Sequence, residues 1–251
     1  MTDAKRWASI IIPTLNEQSG IKKTIKSIPT SLIENKLGYK VEILVVDGGS
    51  MDSTREIASK MGAQVIVEKR KGYGRACKSG FAAARGEILV TIDADNTYPA
   101  EYIASYIEEL DKKNLDFITV NRFSGMEKGA MSFTRRIGNK ILTLATRALY
   151  SVDIEDSQSG MWIMRKKFIS DIRLNSDDMS ISEEIKIIAF RFFNAKELDG
   201  KYYARTGTAK LKVIQDGLKN LKYLFDYKKK VQSAVISLPV GGEEKEIQLR
   251  G

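Results

Sequence analysis

Histidine is absent from the 251-residue sequence, cysteine occurs once, at position 77, and four prolines interrupt the chain. Each scarcity excludes chemistry. Without histidine there is no Ser-His-Asp or Cys-His nucleophile system, no His-rich zinc or non-haem iron centre and no imidazole general base. A single cysteine forms no intramolecular disulfide and no thiolate-clustered metal site, which fits a reducing cytosol; Cys77 reads as a small packed side chain. No run approaches the ~18 consecutive apolar residues of a membrane span. The apolar stretch in MTDAKRWASIIIP has the length of a strand and falls short of a signal-peptide core. The sequence therefore reads as soluble or peripheral to a membrane, and its chemistry falls to carboxylates, lysine, arginine, tyrosine or backbone.

Charge is present and unevenly spread. The net charge is +9, and residues 201–230 hold nine Lys and Arg against two Asp. Such a segment suits a phosphate-rich partner: a nucleotide, a nucleic acid or an anionic membrane. With 43% hydrophobic residues the chain can bury a core, most simply that of one α/β domain.

The first 120 residues repeat one rhythm, a short apolar β-branched run followed by polar or glycine-rich residues and a helical pattern. Strands are expected at Ser9 to Pro13, Val41 to Val46, Ala63 to Val67, Ile88 to Ile92 and Phe117 to Val120. Helices are expected at Gly20 to Ile28, Asp52 to Met61, Arg75 to Ala84 and Pro99 to Lys112, the last with proline in its first turn. Apolar runs without alternation suggest strands covered on both faces, hence a mostly parallel sheet flanked by helices. Beyond residue 121 the rhythm changes. Gly125 to Gly129 reads as a flexible loop, Ser132 to Leu149 as a helix, Trp162 to Met164 as a strand, Ser182 to Phe193 as a helix and Ala195 to Tyr203 as an edge strand. In a last helix, Lys212 to Phe225, residues Ile214, Leu218, Leu221 and Phe225 form a stripe flanked by Lys212, Lys219 and Lys222. That stripe either docks on the core or lies on a membrane surface. The tail from Gly241 is polar.

Ligands of open α/β sheets bind beyond the carboxyl ends of the strands. There the first strand is followed by Thr14, Leu15, Asn16 and Glu17, the second by Asp47, and the fourth by Asp93, Ala94 and Asp95. Carboxylates gathered at one sheet edge repel one another unless a cation or donor groups compensate. Two of them two residues apart can reach one hard divalent cation that keeps ligand phosphates in its shell. Gly72-Tyr73-Gly74 lacks the third glycine of a dinucleotide fingerprint and does not follow the first strand, so a dehydrogenase is disfavoured; no Walker sequence is present.

The segments IIPTLNE, VEILVVDGGSMDST, KGYGRACKSGFAAARGEILVTIDADNTYP and DSQSGMWIMRKKFI, in this order, resemble the motifs of family 2 glycosyltransferases with the GT-A fold. Within that family the chain is similar to polyprenyl-phosphate sugar transferases of the dolichol-phosphate mannose synthase type, from about Ser9 to Leu221. The resemblance implies a GT-A catalytic domain over residues 1–230, with a nucleotide-sugar half at about 8–120 and an acceptor half at about 121–230, and a tail over 231–251. It implies inverting transfer of one sugar from GDP-mannose or UDP-glucose to a polyprenyl or dolichyl phosphate, with Mg²⁺ or Mn²⁺ held by Asp93 and Asp95. Pro13, Leu15, Asn16 and Glu17 would line the nucleotide pocket, with Asp47 near the base or ribose. Where close mannose synthases carry Gln two positions past the second Asp, this chain has Thr97, and Gly48 replaces the second Asp of a Val-Val-Asp-Asp pattern. Arg122, Arg136 and Arg205 fit the family's phosphate-binding positions, and Lys210 is retained in YYARTGTAKL. Asp156 and Gln158 are expected near the acceptor or sugar, and Glu184 on a sugar hydroxyl.

A lipid phosphate is ionised near pH 7 and attacks without a general base, which agrees with the missing histidine. A hydroxyl acceptor would instead need Glu183, Glu184 or Asp156 as base. The expected location is the cytoplasm, peripheral on the cytoplasmic face of a membrane, with the surface contact made by Gly125 to Arg136 and the basic helix near Lys212. A nucleic-acid-binding protein is supported by charge alone and leaves the acidic strand ends unexplained. A sugar-nucleotide pyrophosphorylase lacks its glycine-rich loop here. Oligomeric state stays open.

Overall fold

The computed structural model describes residues 6–207, 213–233, 236–240 and 243–247. In chain order the elements are β1 (Trp7–Thr14), α1 (Ile21–Ser27), α2 (Thr30–Leu37), β2 (Lys40–Asp47), α3 (Thr54–Lys60), β3 (Gln64–Val67), α4 (Tyr73–Ala83) and β4 (Ile88–Thr91). A 3-10 turn at Ala100–Tyr102 leads into α5 (Ile103–Lys112), followed by β5 (Phe117–Met126), α6 (Phe133–Tyr150), β6 (Trp162–Arg165), α7 (Lys166–Ser170), α8 (Ile181–Phe192), β7 (Ala195–Tyr202) and α9 (Val213–Ser233). An antiparallel pair, β8 (Ile236–Val240) and β9 (Glu243–Ile247), closes the order.

Seven strands form one sheet in the order β3-β2-β1-β4-β6-β5-β7, all parallel except β6. The apolar runs that lacked alternation are explained by two cores. Ile10 and Ile12 of β1 pack into one with Ile21, Ile103 and Ile107, while Ile11 packs into the other with Ala76, Phe81 and Ile185. A strand buried on both faces has no polar face to alternate. A third cluster joins α6, α8 and α9 through Leu142, Ile187, Leu224 and Tyr227.

Three expectations are corrected. Helix α2 occupies a stretch to which the sequence reading assigned no element, because TSLIENKL buries only Ile33 and shows no apolar stripe. Gly125 and Met126, expected in a loop, extend β5 and pair with Lys201 and Tyr202 of β7. A Cβ on Gly125 would lie 2.8 Å from the Gly200 carbonyl oxygen, so glycine here allows close backbone approach. Among the described side chains of α9 the buried positions are Asn220, Leu224 and Tyr227, whereas Leu218 and Phe225 of the expected stripe are exposed. The side chain of Ile214 and all of Lys212 lie outside the described residues.

Parallel register puts the functional ends together. Thr14 is opposite Asp47, Ile11 is opposite Thr91, and Thr119 of β5 reaches the same level through Trp162 of β6. Because β6 runs the other way, its entrance, residues 156–161, comes to this edge where its neighbours present their exits.

Candidate active site

The loops after β1 and β2 brace one another. Gly48 N–H donates to the Thr14 carbonyl at 2.9 Å, Asn16 N–H to the Ser50 hydroxyl at 2.8 Å, Met51 N–H to Asn16 Oδ1 at 2.7 Å and Glu17 N–H to the Thr54 hydroxyl at 2.8 Å. Asn16 takes a φ of 52°, a left-handed conformation that asparagine tolerates. Pro13 is buried in β1 while Leu15 faces outward. Asp47 is fully buried, and its Oδ1 accepts from Gly49 N–H at 3.1 Å and Ser50 N–H at 2.9 Å. Through Oδ1 Asp47 shapes the loop after β2, at the strand end where the sequence placed it.

Past β4, Asp93 keeps part of its surface open and accepts from the Tyr73 hydroxyl at 3.0 Å. Burial, then the negative charge of Asp95, raise its pKa. Tyr73 stands in the Gly72–Gly74 segment, which packs on the loop at 176–178. Gly72 has a φ of +125°, and a Cβ there would meet the Asp177 carbonyl oxygen at 2.1 Å, so only glycine lets the tyrosine approach. Asp95 is buried. Its Oδ1 accepts from Thr97 N–H at 3.1 Å and the Thr97 hydroxyl at 2.6 Å, and its Oδ2 from Arg205 Nη1 at 2.6 Å. Thr97, the departure noted in the sequence, thus orients the second carboxylate. Arg205 also bonds Glu17, which joins the loop after β1 to the one after β4.

The two carboxylates are hard oxygen donors whose repulsion a divalent cation would relieve, so the donor set fits Mg²⁺ or Mn²⁺. Among the described residues no cluster of three His, Cys, Asp or Glu gathers to form a closed cage. A cation here would draw its remaining ligands from phosphate and water.

Farther along the sheet, the β5–β7 ladder breaks between Asn121 and Gly125, where residues 122–124 bulge opposite Gly200. The bulge starts at Arg122, which is buried and forked onto Asp156, Nε to Oδ2 at 2.6 Å and Nη2 to Oδ1 at 2.7 Å. Burial opposes ionisation of Asp156, and Arg122 overcomes it to hold the carboxyl below its ordinary pKa. From the other side Lys186, fully buried on α8, donates to the carbonyls of Asp156, Ser157 and Ser159 at 2.9, 2.9 and 2.7 Å. Burial lowers the lysine pKa, whereas Asp156 and the three acceptors favour the ammonium form. The DSQSG loop is therefore clamped by an arginine on its carboxylate and a lysine on its backbone.

Gln158 projects from this loop into a cleft between α6 and α9 lined by Arg122, Arg135, Asn139, Met179 and Asn220. Its amide donates to Glu183 at 2.6 Å and accepts from Asn220 at 3.0 Å. Arg135, rather than the expected Arg136, lines the cleft and exerts its charge on Asp93; Arg136 points to the exposed side of α6. Adjacent helix positions differ by about 100° in direction, so only one of the two can face inward. Glu184 is likewise moved from its expected place on a sugar hydroxyl, because its oxygens accept from Asn175 N–H, the Asn175 amide and Ser176 N–H at 2.8, 2.9 and 2.8 Å. Lys210 lies outside the described residues.

Sequence reasoning missed Arg135, Tyr73, Lys186 and Asn220. Lys186 had a signal, a lone cation inside the apolar run of SISEEIKIIAF.

Solved structures with this architecture include the glucosyl-3-phosphoglycerate synthase of Mycobacterium tuberculosis, with a TM-score of 0.72 at 20% identity over 94% of this chain and 84% of that one. That synthase, determined with Mn²⁺, UDP and glucosyl-3-phosphoglycerate, shares the fold, which is GT-A. Residues 9–173 match the model of glycosyl transferase family 2, and the chain belongs to that family. It is 31% identical over 212 residues to the dolichyl-phosphate hexose transferase of Haloferax volcanii, covering 83% of this chain and 88% of that protein. Identity is 34% over 187 residues to the dolichol-phosphate mannosyltransferase of Pyrococcus furiosus, covering 71% and 52%. With a low-salt glycan biosynthesis hexosyltransferase of Haloferax volcanii it is 30% over 230 residues, covering 89% and 54%. The chain spans about half the length of these last two relatives.

Proposed function

We propose that this glycosyltransferase domain moves a single sugar, with inversion, from a nucleoside-diphosphate sugar to a polyprenyl or dolichyl phosphate at the cytoplasmic face of a membrane. The observation that carries the reading is the state of the three carboxylates that could serve a hydroxyl acceptor as base. Asp156 is spent on Arg122, Glu184 on the 175–176 loop, and burial pushes Glu183 up to about 8, so that it is protonated at neutral pH. An acceptor that arrives ionised needs none of them. Arg135 supplies positive charge for such a phosphate in the cleft, within electrostatic reach of Asp93, while Arg122 in the cleft wall is paired with Asp156. The acceptor can then attack the anomeric carbon as the bond to the nucleoside diphosphate breaks. Asp93 and Asp95 would hold Mg²⁺ or Mn²⁺, whose charge stabilises the departing diphosphate. The relatives named for dolichyl-phosphate and dolichol-phosphate substrates support the acceptor class.

An outer apolar stripe supports contact with lipid. Phe133, Ile137, Ile141 and Leu144 on α6 and Leu218 and Phe225 on α9 are between 43% and 77% exposed. Arg136, Lys140, Lys219 and Lys222 lie exposed among them. Apolar faces with basic flanks suit an anionic membrane surface, and the cleft opens between the same two helices. No described helix is long and apolar enough to cross a membrane.

The test incubates pure protein with Mg²⁺, radiolabelled GDP-mannose or UDP-glucose, and a polyprenyl phosphate in anionic liposomes. Label extracted into organic solvent only when metal is present is expected, and Asp95→Ala should abolish it. Transfer confined to water-soluble hydroxyl acceptors would refute the reading.

A further inference from the structure

Arg205 occupies an oxygen that a metal–diphosphate site would need. Its side chain is 20% exposed, and its guanidinium joins Asp95 Oδ2, at 2.6 Å, to Glu17 Oε1. The Nε–H of the same guanidinium is buried without a partner. Backbone bonds tie the arginine's segment to the turn after β4, Tyr203 N–H to the Thr97 carbonyl at 2.8 Å and Thr206 N–H to the Asp95 carbonyl at 3.0 Å. Because Thr97 holds Asp95 Oδ1, Oδ2 is the oxygen whose partner can change while the turn stays in place.

A guanidinium held on that oxygen repels a divalent cation brought to the same carboxylate, and a buried orphan donor marks a position that leaves one hydrogen bond unmade. We infer that Arg205 is an exchangeable counter-ion, which bridges Asp95 and Glu17 before ligands enter, competes with the divalent cation for Asp95, and carries its fork onto the diphosphate when the donor enters. The inference deepens the reading of this edge as a metal–diphosphate site and rests on it. Cation and nucleoside diphosphate then bind with positive coupling, because the anion supplies the partner that the displaced guanidinium needs, and the coupling is reciprocal. An arginine that only attracted phosphate would leave metal affinity in the absence of nucleotide independent of its contact with Asp95.

The test titrates Mn²⁺ against wild type, Arg205→Gln and Arg135→Gln, reading free Mn²⁺ by electron paramagnetic resonance, alone and with saturating UDP or GDP. Arg135 also acts electrostatically on Asp93 without bonding either carboxylate, so it reports the effect of charge at a distance. Arg205→Gln is expected to bind Mn²⁺ alone about fivefold or more tightly than wild type, with a matching shrinkage of the nucleotide enhancement. Arg135→Gln should stay within about twofold of wild type. Equal effects of the two variants, or unchanged Mn²⁺ affinity in Arg205→Gln with nucleotide binding intact, would overturn the inference. Should Arg205→Gln not fold, Arg205→Met, which keeps the apolar stem and can donate to neither carboxylate, must still bind Mn²⁺ more tightly than wild type, or the inference fails. Binding of neither UDP nor GDP by wild type would remove the donor-site reading itself, and this one with it.

Discussion

Replacing Glu183 tests the electrostatics beneath the DSQSG loop. The side chain is fully buried on α8, one oxygen accepts from Gln158, and the other is buried with no partner. Burial pushes the pKa from 4.5 up to about 8. The unfolded chain releases this proton near the lower value and the folded protein near the upper one. Between them the folded state holds a proton that the unfolded state has lost, so stability falls as pH rises, by up to ~1.4 kcal/mol per pH unit. Glu183→Gln keeps the shape and an oxygen that accepts from Gln158, and has nothing to titrate. Between about pH 5.5 and about pH 8 the variant should therefore gain ~3 kcal/mol on wild type. Urea unfolding at both pH values, followed by the fluorescence of fully buried Trp162, measures this. Groups common to both proteins cancel in the difference. Parallel stability profiles would refute a protonated Glu183 and reopen the case for a carboxylate base.

Two further outcomes follow from contacts. Arg135→Ala should raise KM for the lipid phosphate about tenfold, the worth of one charge-assisted hydrogen bond, while Arg136→Ala leaves it within about twofold; kinetics in detergent decide, and the reverse order contradicts the assignment of the inward position. Asp156→Asn leaves Arg122 buried without a counter-charge and should destabilise the fold by ~3–5 kcal/mol; a loss below about 1 kcal/mol in denaturant unfolding would mean that the pair is not buried as described.

The alternation of apolar runs with helical patterns made the parallel half legible, because strands buried on both faces leave an unmistakable record in β-branched residues. Strand β5 beyond Val120 was hidden, since a bulged ladder facing another strand's glycine has the composition of a loop. Within the site, strand-end chemistry was readable and partnership was not. The contact between Asp95 and Arg205 joins residues 110 positions apart, and the oxygens of Glu184 are claimed by loop N–H groups that any sequence would supply. The choice between Arg135 and Arg136 depended on the phase of α6, which its exposed apolar residues obscure: Phe133, Ile137 and Ile141 form a stripe that a soluble helix would bury.

Antiparallel β6 makes the molecule modular. The chain leaves the sheet at Met126 and re-enters it at Trp162, and both points are held in register by neighbouring strands. Everything between them, including α6 and the DSQSG loop, is an excursion whose length the sheet does not dictate. A chimera that replaces this segment has to keep the two anchors that lie outside it, Arg122 on the Asp156 carboxylate and Lys186 on the loop carbonyls, while the sheet on either side retains its register.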